Sequence, residues 1–408
     1  MRPIKHLLLK AAAHIGSRQS KRLRGCRALI IPPAGPGSVG DAAMLTSVIA
    51  ALRKRGFERV SLLQVERGKS WDLDCAPDEL VDGSHFLDYG SRVNLSAILI
   101  KLGGYSDIFC IGADILDGIY DEDRMAYRLE LLHRAADMGL RATIVGSSFS
   151  EQPNPRCVSM IQALPSHVRI LARDEFSHQR MTRALTRPIE LCADVAFLLS
   201  PADTAASALP VMAWLQSERD AGRKVVAINA NNLHEAHHPS LIRDYAALVR
   251  ELIARGCSIL MVPHDNRTQR SDQFIADAIV EMLSEDCTRH VHTFRAKTPG
   301  QLKLALAQCD LIVTGRMHAA IIALGSHTPA MSFAYANKFE GLYQHLDLDP
   351  GEMILTLSAL RDEPRAVAAE VMKVLARSEG LREHIAARIG LLRQAAERNF
   401  DGGMRMAS

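Results

Sequence analysis

Residues 310–333 read DLIVTGRMHAAIIALGSHTPAMSF, and the unit from which the fold is built is contained in them. DLIVT is a short apolar run closed by Gly315, too short for a buried helix and suited to a buried strand. RMHAAIIAL continues as an apolar helix, Gly325 ends it, and PAMSF opens a second strand. Strand, helix and strand in immediate succession imply a right-handed crossover between parallel strands.

The same alternation extends upstream. KVVAIN (224–229), CSILMV (257–262) and HVHTF (290–294) read as further strands, and Leu241, Tyr245, Leu248 and Leu252 keep helical spacing between the first two. Before residue 200 a separate series appears: RALIIP (27–32), RVSLLQV (59–65), DIFCIG (107–112), ATIVGS (142–147), VRILAR (168–173) and IELCA (189–193). Helices starting near Asp41, Asp121, Pro155 and Glu175 fill the gaps. SPADTAASALP (200–210) has no periodicity and reads as the linker. The expected fold class is therefore α/β, with two Rossmann-like doubly wound domains facing a cleft. The boundaries are a basic arm over 1–25, an N-terminal domain over 26–200, a C-terminal domain over 211–350 and a helical segment over 351–408. A ligand of such a pair belongs outside the strand C-termini.

Composition narrows the function classes. With 408 residues, 48% hydrophobic and 23% charged, the chain is neither disordered nor a disulfide scaffold. The formal charge of +3 conceals an uneven distribution: residues 1–27 hold eight Lys/Arg and no acid, leaving 41 bases against 46 acids elsewhere. Basicity confined to one arm argues against a nucleic-acid partner. That arm, with Leu7–Leu9, reads either as a solvated tail or as the kind of segment that rests on an anionic inner-leaflet surface. Lys10 interrupts its apolar stretch, so it does not read as a signal peptide. No two of the eight cysteines stand closer than 22 positions, which leaves no CxxC motif. Buried, reduced thiols in a cytoplasmic protein, peripheral to the membrane at most, are expected.

Several motifs fall where strands hand over to helices. GPGSVGDAAML (35–45) places Gly37, Gly40 and Asp41 at a tight turn and helix start, where free N–H groups suit an anion and Asp41 suits a cap. It lacks the Lys-Ser/Thr of a P-loop. HEAHH (234–238) matches HExxH, but Pro239 pushes His238 out of helical geometry, so a polar cleft loop is expected there and no metal. GSSFS (146–150) lacks the final glycine of a nucleophile elbow. ARDEFSHQR (172–180) sets Arg173 at a strand end, either as a surface cation or as a fork for carboxylate or phosphate. TGRMH (314–318) puts Arg316 and His318 at a helix N-terminus, suited to proton transfer beside an anion. Lys338, in SFAYANKFEGL (332–342), is a third candidate cation.

The order and spacing of GSVGDAAML, IGADILDG (111–118), ARDEFS (172–177), CADVAFLL (192–199) and TGRMHAAIIALGSHTPAMSFAYANKFEGL (314–342) resemble the polysaccharide pyruvyl transferase family over about residues 26–345. The resemblance implies a two-domain architecture like GT-B glycosyltransferases and transfer of pyruvate from phosphoenolpyruvate to a sugar as a ketal. It implies no cofactor beyond phosphoenolpyruvate as co-substrate. By motif, His318 matches the catalytic histidine, Arg316 and Arg173 match donor-binding arginines, and the backbone of Met317 matches a further donor contact; Lys338 falls in the family's Lys-containing loop. The acceptor, a free or lipid-linked saccharide of a cell-surface or exopolysaccharide, is expected in the first domain. Two loops depart from the family pattern: Gly112-Ala113-Asp114 and Gly146-Ser147-Ser148 stand where glycine runs are common. A nucleotide-sugar GT-B glycosyltransferase and a non-catalytic relative in polysaccharide assembly are the alternatives.

Overall fold

In the computed structural model, which describes residues 26–203, 209–334 and 339–402, the first sheet is built from β1 (Arg27–Ile31), β2 (Arg59–Gln64), β3 (Glu79–Asp82), β4 (Asp107–Ala113), β5 (Arg141–Ser147), β6 (Arg169–Ala172) and β7 (Glu190–Leu191). They stand in the order β3-β2-β1-β4-β5-β6-β7, with every pair parallel. β4, DIFCIGA, is buried at every residue, as an apolar run must be when helices cover both faces of a sheet. The second sheet holds β8 (Lys224–Asn229), β9 (Cys257–Met261), β10 (Val291–Thr293), β11 (Leu311–Thr314), β12 (Ala330–Phe333) and β13 (Ile354–Leu355), in the order β10-β9-β8-β11-β12-β13, again parallel. The strand order reverses between β1 and β4 in one sheet and between β8 and β11 in the other. These are the two topological switch points, where a doubly wound sheet leaves a crevice.

Three features depart from the expectations drawn from sequence. β3 and the helices Ser84–Tyr89 and Arg92–Leu102 fill residues 79–102, a stretch without a clear strand or helix signal in the sequence. ELVD is an edge strand with Val81 as its one buried residue, so its apolar signal is minimal. Cys192 follows β7 rather than lying within it. The 351–408 stretch is no separate helical annex either. Ile354–Leu355 extend the second sheet, and the helix Ser378–Glu397 leads Asn399 back to the first domain, where its Oδ1 accepts from the Gly146 N–H (2.7 Å) and its Nδ2 donates to the Ala193 carbonyl (3.1 Å).

The domains are packed together, not merely tethered. The helix Val39–Lys54 of the first lies against Met317–Leu324 of the second, and one apolar cluster includes Met44 and Val48 from the former with Ile321 and Leu324 from the latter. Among the described residues no helix is long and apolar enough to cross a membrane. The basic arm, residues 1–25, and Lys338 lie outside the described residues.

Candidate active site

The first domain contributes the loop after β1 and the helix it feeds. Gly37 adopts φ +116°, and a Cβ there would approach Arg267 Cγ to 2.8 Å, so both conformation and space call for glycine. Ser38 caps the helix: its Oγ accepts from the Asp41 N–H (3.2 Å). The Val39 N–H is also occupied, donating to the His264 carbonyl of the second domain (2.9 Å), while Gly37 accepts from the Asn266 N–H (2.8 Å). Of the N–H groups expected to be free for an anion at Gly37–Asp41, those of Val39 and Asp41 are therefore already taken, the first by the facing domain and the second by Ser38. Nor is Asp41 the cap. It lies in the first helical turn, where its Oδ2 meets Arg267 NH1 at 3.2 Å. Burial raises its pKa, against the pull of Arg267 and His318.

The second domain contributes the end of β11. Thr314 Oγ1 accepts from the Arg316 N–H (2.9 Å) and turns the chain into the helix Met317–Leu324, with Arg316 itself at the extended cap position. The Arg316 guanidinium is buried against Asp272 (2.8 Å) and Asp265 (3.4 Å). His318 follows two residues later, and Gly40 of the opposite domain makes room for it: a Cβ on Gly40 would lie 2.7 Å from His318 Nδ1. The other ring nitrogen, Nε2, lies 3.6 Å from Asp194 Oδ2, within ion-pair range and longer than a hydrogen bond.

Arg173, read from sequence as a surface cation or a fork, is buried, at 3% exposure. Its NH1 pairs with Asp194 at 2.9 Å, its Nε donates to Ser148 Oγ (2.8 Å), and its NH2 reaches Met317 Sδ (3.2 Å) across the domain boundary. Asp194 therefore serves an arginine of its own domain and the histidine of the other. Burial opposes its charge, but His318, Arg173 and the Ala196 N–H outweigh burial and hold the carboxyl well below the usual carboxylate range.

Arg173, Arg316, Met317 and His318 line one cavity of about 330 Å³ between the domains, with Asp41 beside them. Its walls come from the chain after β1, β4, β8 and β11, the two switch points facing each other, together with Arg173 after β6 and His264 and Arg267 after β9. Among its described lining residues, five arginines stand against three aspartates, so cations outnumber carboxylates at the wall although the chain outside its arm is acidic. Sequence reasoning missed the carboxylates that hold these arginines, Asp194, Asp265 and Asp272, together with Arg267 and His264. His264 is fully buried, its ring nitrogens make no hydrogen bond among the described residues, and burial with Arg316 nearby pushes its pKa well below the ordinary value. Asp194 stands inside the quoted CADVAFLL, but no spacing in sequence pairs it with a residue 124 positions away.

HEAHH does not form a helix. Asn232–His234 is a single 3₁₀ turn, Glu235 pairs with Arg270, and His238 meets Asp244 at 2.8 Å. Its His234 lines a neighbouring cavity of about 480 Å³ with Tyr120, Phe149, Asp174 and Phe176; Asp114, Tyr120 and Leu233 border both spaces.

The family model described as polysaccharide pyruvyl transferase matches residues 39–337, from the helix after β1 past the helix bearing His318. The chain belongs to the polysaccharide pyruvyl transferase family. Solved structures agree on the architecture. The chain is similar to S. aureus MnaA in complex with UDP (11% identity, 91% of this chain and 94% of that chain, TM-score 0.61). It is also similar to UDP-GlcNAc 2-epimerase from Neisseria meningitidis bound to UDP-GlcNAc (12%, 92% and 99%, TM-score 0.59) and to sucrose-phosphate synthase from Thermosynechococcus elongatus (13%, 92% and 98%, TM-score 0.56). At these identities the likeness concerns the fold, which is that of GT-B-type enzymes. Family membership places the chain among transferases.

Proposed function

We propose that the chain transfers the pyruvate unit of phosphoenolpyruvate to a saccharide as a ketal, with the donor in the cavity between the domains. The observation that carries this reading is the convergence of Arg173, Arg316 and His318 on one cation-lined cavity within a chain of this family. Phosphoenolpyruvate bears a carboxylate and a phosphate, and guanidinium groups remain charged at every working pH. Lys338 adds a third cation in this reading. The methylene carbon of the donor takes a proton and becomes the methyl group. One sugar hydroxyl then bonds to C2, phosphate leaves with the C2–O electron pair, and a second hydroxyl closes the ketal. The two hydroxyl protons balance the one gained by carbon and the one leaving with phosphate. His318 is the proton carrier. With Asp194 beside Nε2, the neutral ring favours its hydrogen on that nitrogen and leaves Nδ1, beside Gly40, as the basic one. The acceptor enters by the neighbouring cavity, where Tyr120, Phe149 and Phe176 offer flat apolar faces to a sugar ring. The saccharide belongs to a cell-surface or exopolysaccharide, free or lipid-linked, and the basic arm holds the enzyme at the inner leaflet in the cytoplasm.

Thermal denaturation tests the donor. Phosphoenolpyruvate at 100 times its Kd should stabilise the native state by about 2.7 kcal/mol, while UDP, GDP and CMP leave the midpoint unmoved. Stabilisation by a nucleotide and none by phosphoenolpyruvate would overturn the proposal in favour of a nucleotide-sugar glycosyltransferase. A protein stabilised by phosphoenolpyruvate that released no phosphate with any saccharide would instead be a non-catalytic relative.

A further inference from the structure

Four of the five arginines lining the cavity between the domains meet a carboxylate: Arg173 with Asp194 (2.9 Å), Arg316 with Asp272 (2.8 Å), Arg267 with Asp41 (3.2 Å) and Arg124 with Asp88 (3.1 Å). Arg128 is the fifth. It lies one helical turn beyond Arg124 in Glu122–Asp137, is 2% exposed, and forms no ion pair among the described residues. Nor is a carboxylate side chain missing from view, since residues 1–25, 204–208, 335–338 and 403–408 contain no Asp or Glu. Its Nε donates to the Pro32 carbonyl (3.2 Å) and its NH1 to the Arg124 carbonyl (2.9 Å). Both are neutral acceptors, so the charge itself has no counter-ion. Burial is the main reason its pKa lies below the ordinary guanidinium value, with Asp121 and Asp88 too weak to restore it.

Arg187 shows what a purely structural arginine looks like in this fold. It donates to the carbonyls of Ile161, Leu164, Pro165 and Val168, which clamp one loop, and it does not line the cavity. Arg128 has half as many carbonyl partners and sits on the wall of the space that receives the substrate. A buried cation without a counter-ion is costly, and a bound anion relieves that cost.

We propose that Arg128 is an oxyanion-binding residue of this cavity, receiving a phosphate or carboxylate group of a bound substrate. The inference rests on the pyruvyl-transfer reading only for the choice of probes. Calorimetric Kd values for phosphoenolpyruvate, inorganic phosphate and glucose 1-phosphate are compared between wild type, Arg128→Gln and Arg128→Met. Loss of one charge-assisted contact should weaken the affected probe about 10- to 100-fold. With no ligand present, both variants should remain folded, since the change removes two contacts to neutral carbonyls and no ion pair. Weakening of phosphoenolpyruvate and phosphate together assigns Arg128 to the donor; weakening of glucose 1-phosphate alone assigns it to an anionic acceptor. Binding of phosphate or glucose 1-phosphate but not of phosphoenolpyruvate, lost in both variants, would support Arg128 and sink the pyruvyl-transfer reading instead. Kd values unchanged within about twofold for every probe would overturn the proposal. So would failure of both variants to fold, since Arg128 would then be a structural clamp like Arg187.

Discussion

His318→Ala is expected to lower acceptor-dependent phosphate release from phosphoenolpyruvate by about 10³-fold or more while the protein stays folded. The size follows from the proton inventory. In the proposed reaction one proton must reach the donor carbon and two must leave sugar hydroxyls, and His318, set between the domains, is proposed to carry them. The fold should tolerate the change for local reasons. The ring lies against Gly40, and its nearest charged partner, Asp194, stands 3.6 Å away, so alanine forfeits no hydrogen bond. Alanine is also the best helix former for the start of Met317–Leu324, whose packing rests on Ala319–Leu324. Donor affinity should change less than turnover, because Arg173 and Arg316 remain. Phosphate release with saccharide acceptors, donor titration and a melting curve measure the three quantities. A variant that keeps turnover within about tenfold of wild type would remove His318 from its role.

The fold was legible wherever burial on both faces of a sheet forces an unbroken apolar run. DIFCIG, KVVAIN and CSILM are such strands, and β4, β8 and β9 occupy those residues. Legibility failed at sheet edges. β3 exposes Leu80 and buries Val81 alone, and β13 is two residues long, so neither leaves a pattern that a window of sequence can register. The return of Asn399 to the first domain was equally hidden. Helical spacing shows that a helix exists and which face is apolar, but the domain that receives that face is a tertiary choice.

The site was legible as cations and illegible as pairs. Arg316 and His318 declare themselves by standing where a strand becomes a helix, a position fixed by local sequence. Their partners come from elsewhere in the chain: Asp272 begins the helix after β9, Asp265 lies in the loop before it, and Asp194 belongs to the other domain. Gly40 illustrates the same limit. Sequence reasoning took it as a turn glycine offering backbone to an anion, whereas its missing Cβ is the space that the His318 ring fills. A residue chosen for what it leaves vacant cannot be interpreted until the occupant is known.

Asp194→Ala should be the most disruptive single change at this site for stability as well as turnover. The carboxylate is 3% exposed and its partner, the Arg173 side chain, 2%, so alanine strands a guanidinium in the interior. Removing one member of a buried ion pair costs about 3–5 kcal/mol, enough to move the unfolding midpoint in urea markedly. The Ala196 N–H, now bonded to Asp194 Oδ1 at 2.8 Å, loses its acceptor as well. Asp194→Asn separates the charge from these neutral contacts: the amide oxygen can still receive Arg173 or Ala196, but the charge opposite His318 is gone. It should therefore lose less stability than alanine and still lose about 10- to 100-fold in turnover, because the negative charge facing His318 Nε2 at 3.6 Å is gone. The pH dependence has a definite sign. The native carboxyl is depressed below its unfolded value, so its contribution is fully present above the ordinary carboxylate pKa of about 3.9 and disappears as pH falls through the native one. The stability gap between wild type and Asp194→Asn should accordingly be flat from about pH 5 to 8 and close in acid. A gap below about 1 kcal/mol at neutral pH, with turnover intact, would mean that Asp194 neither holds Arg173 nor aligns His318.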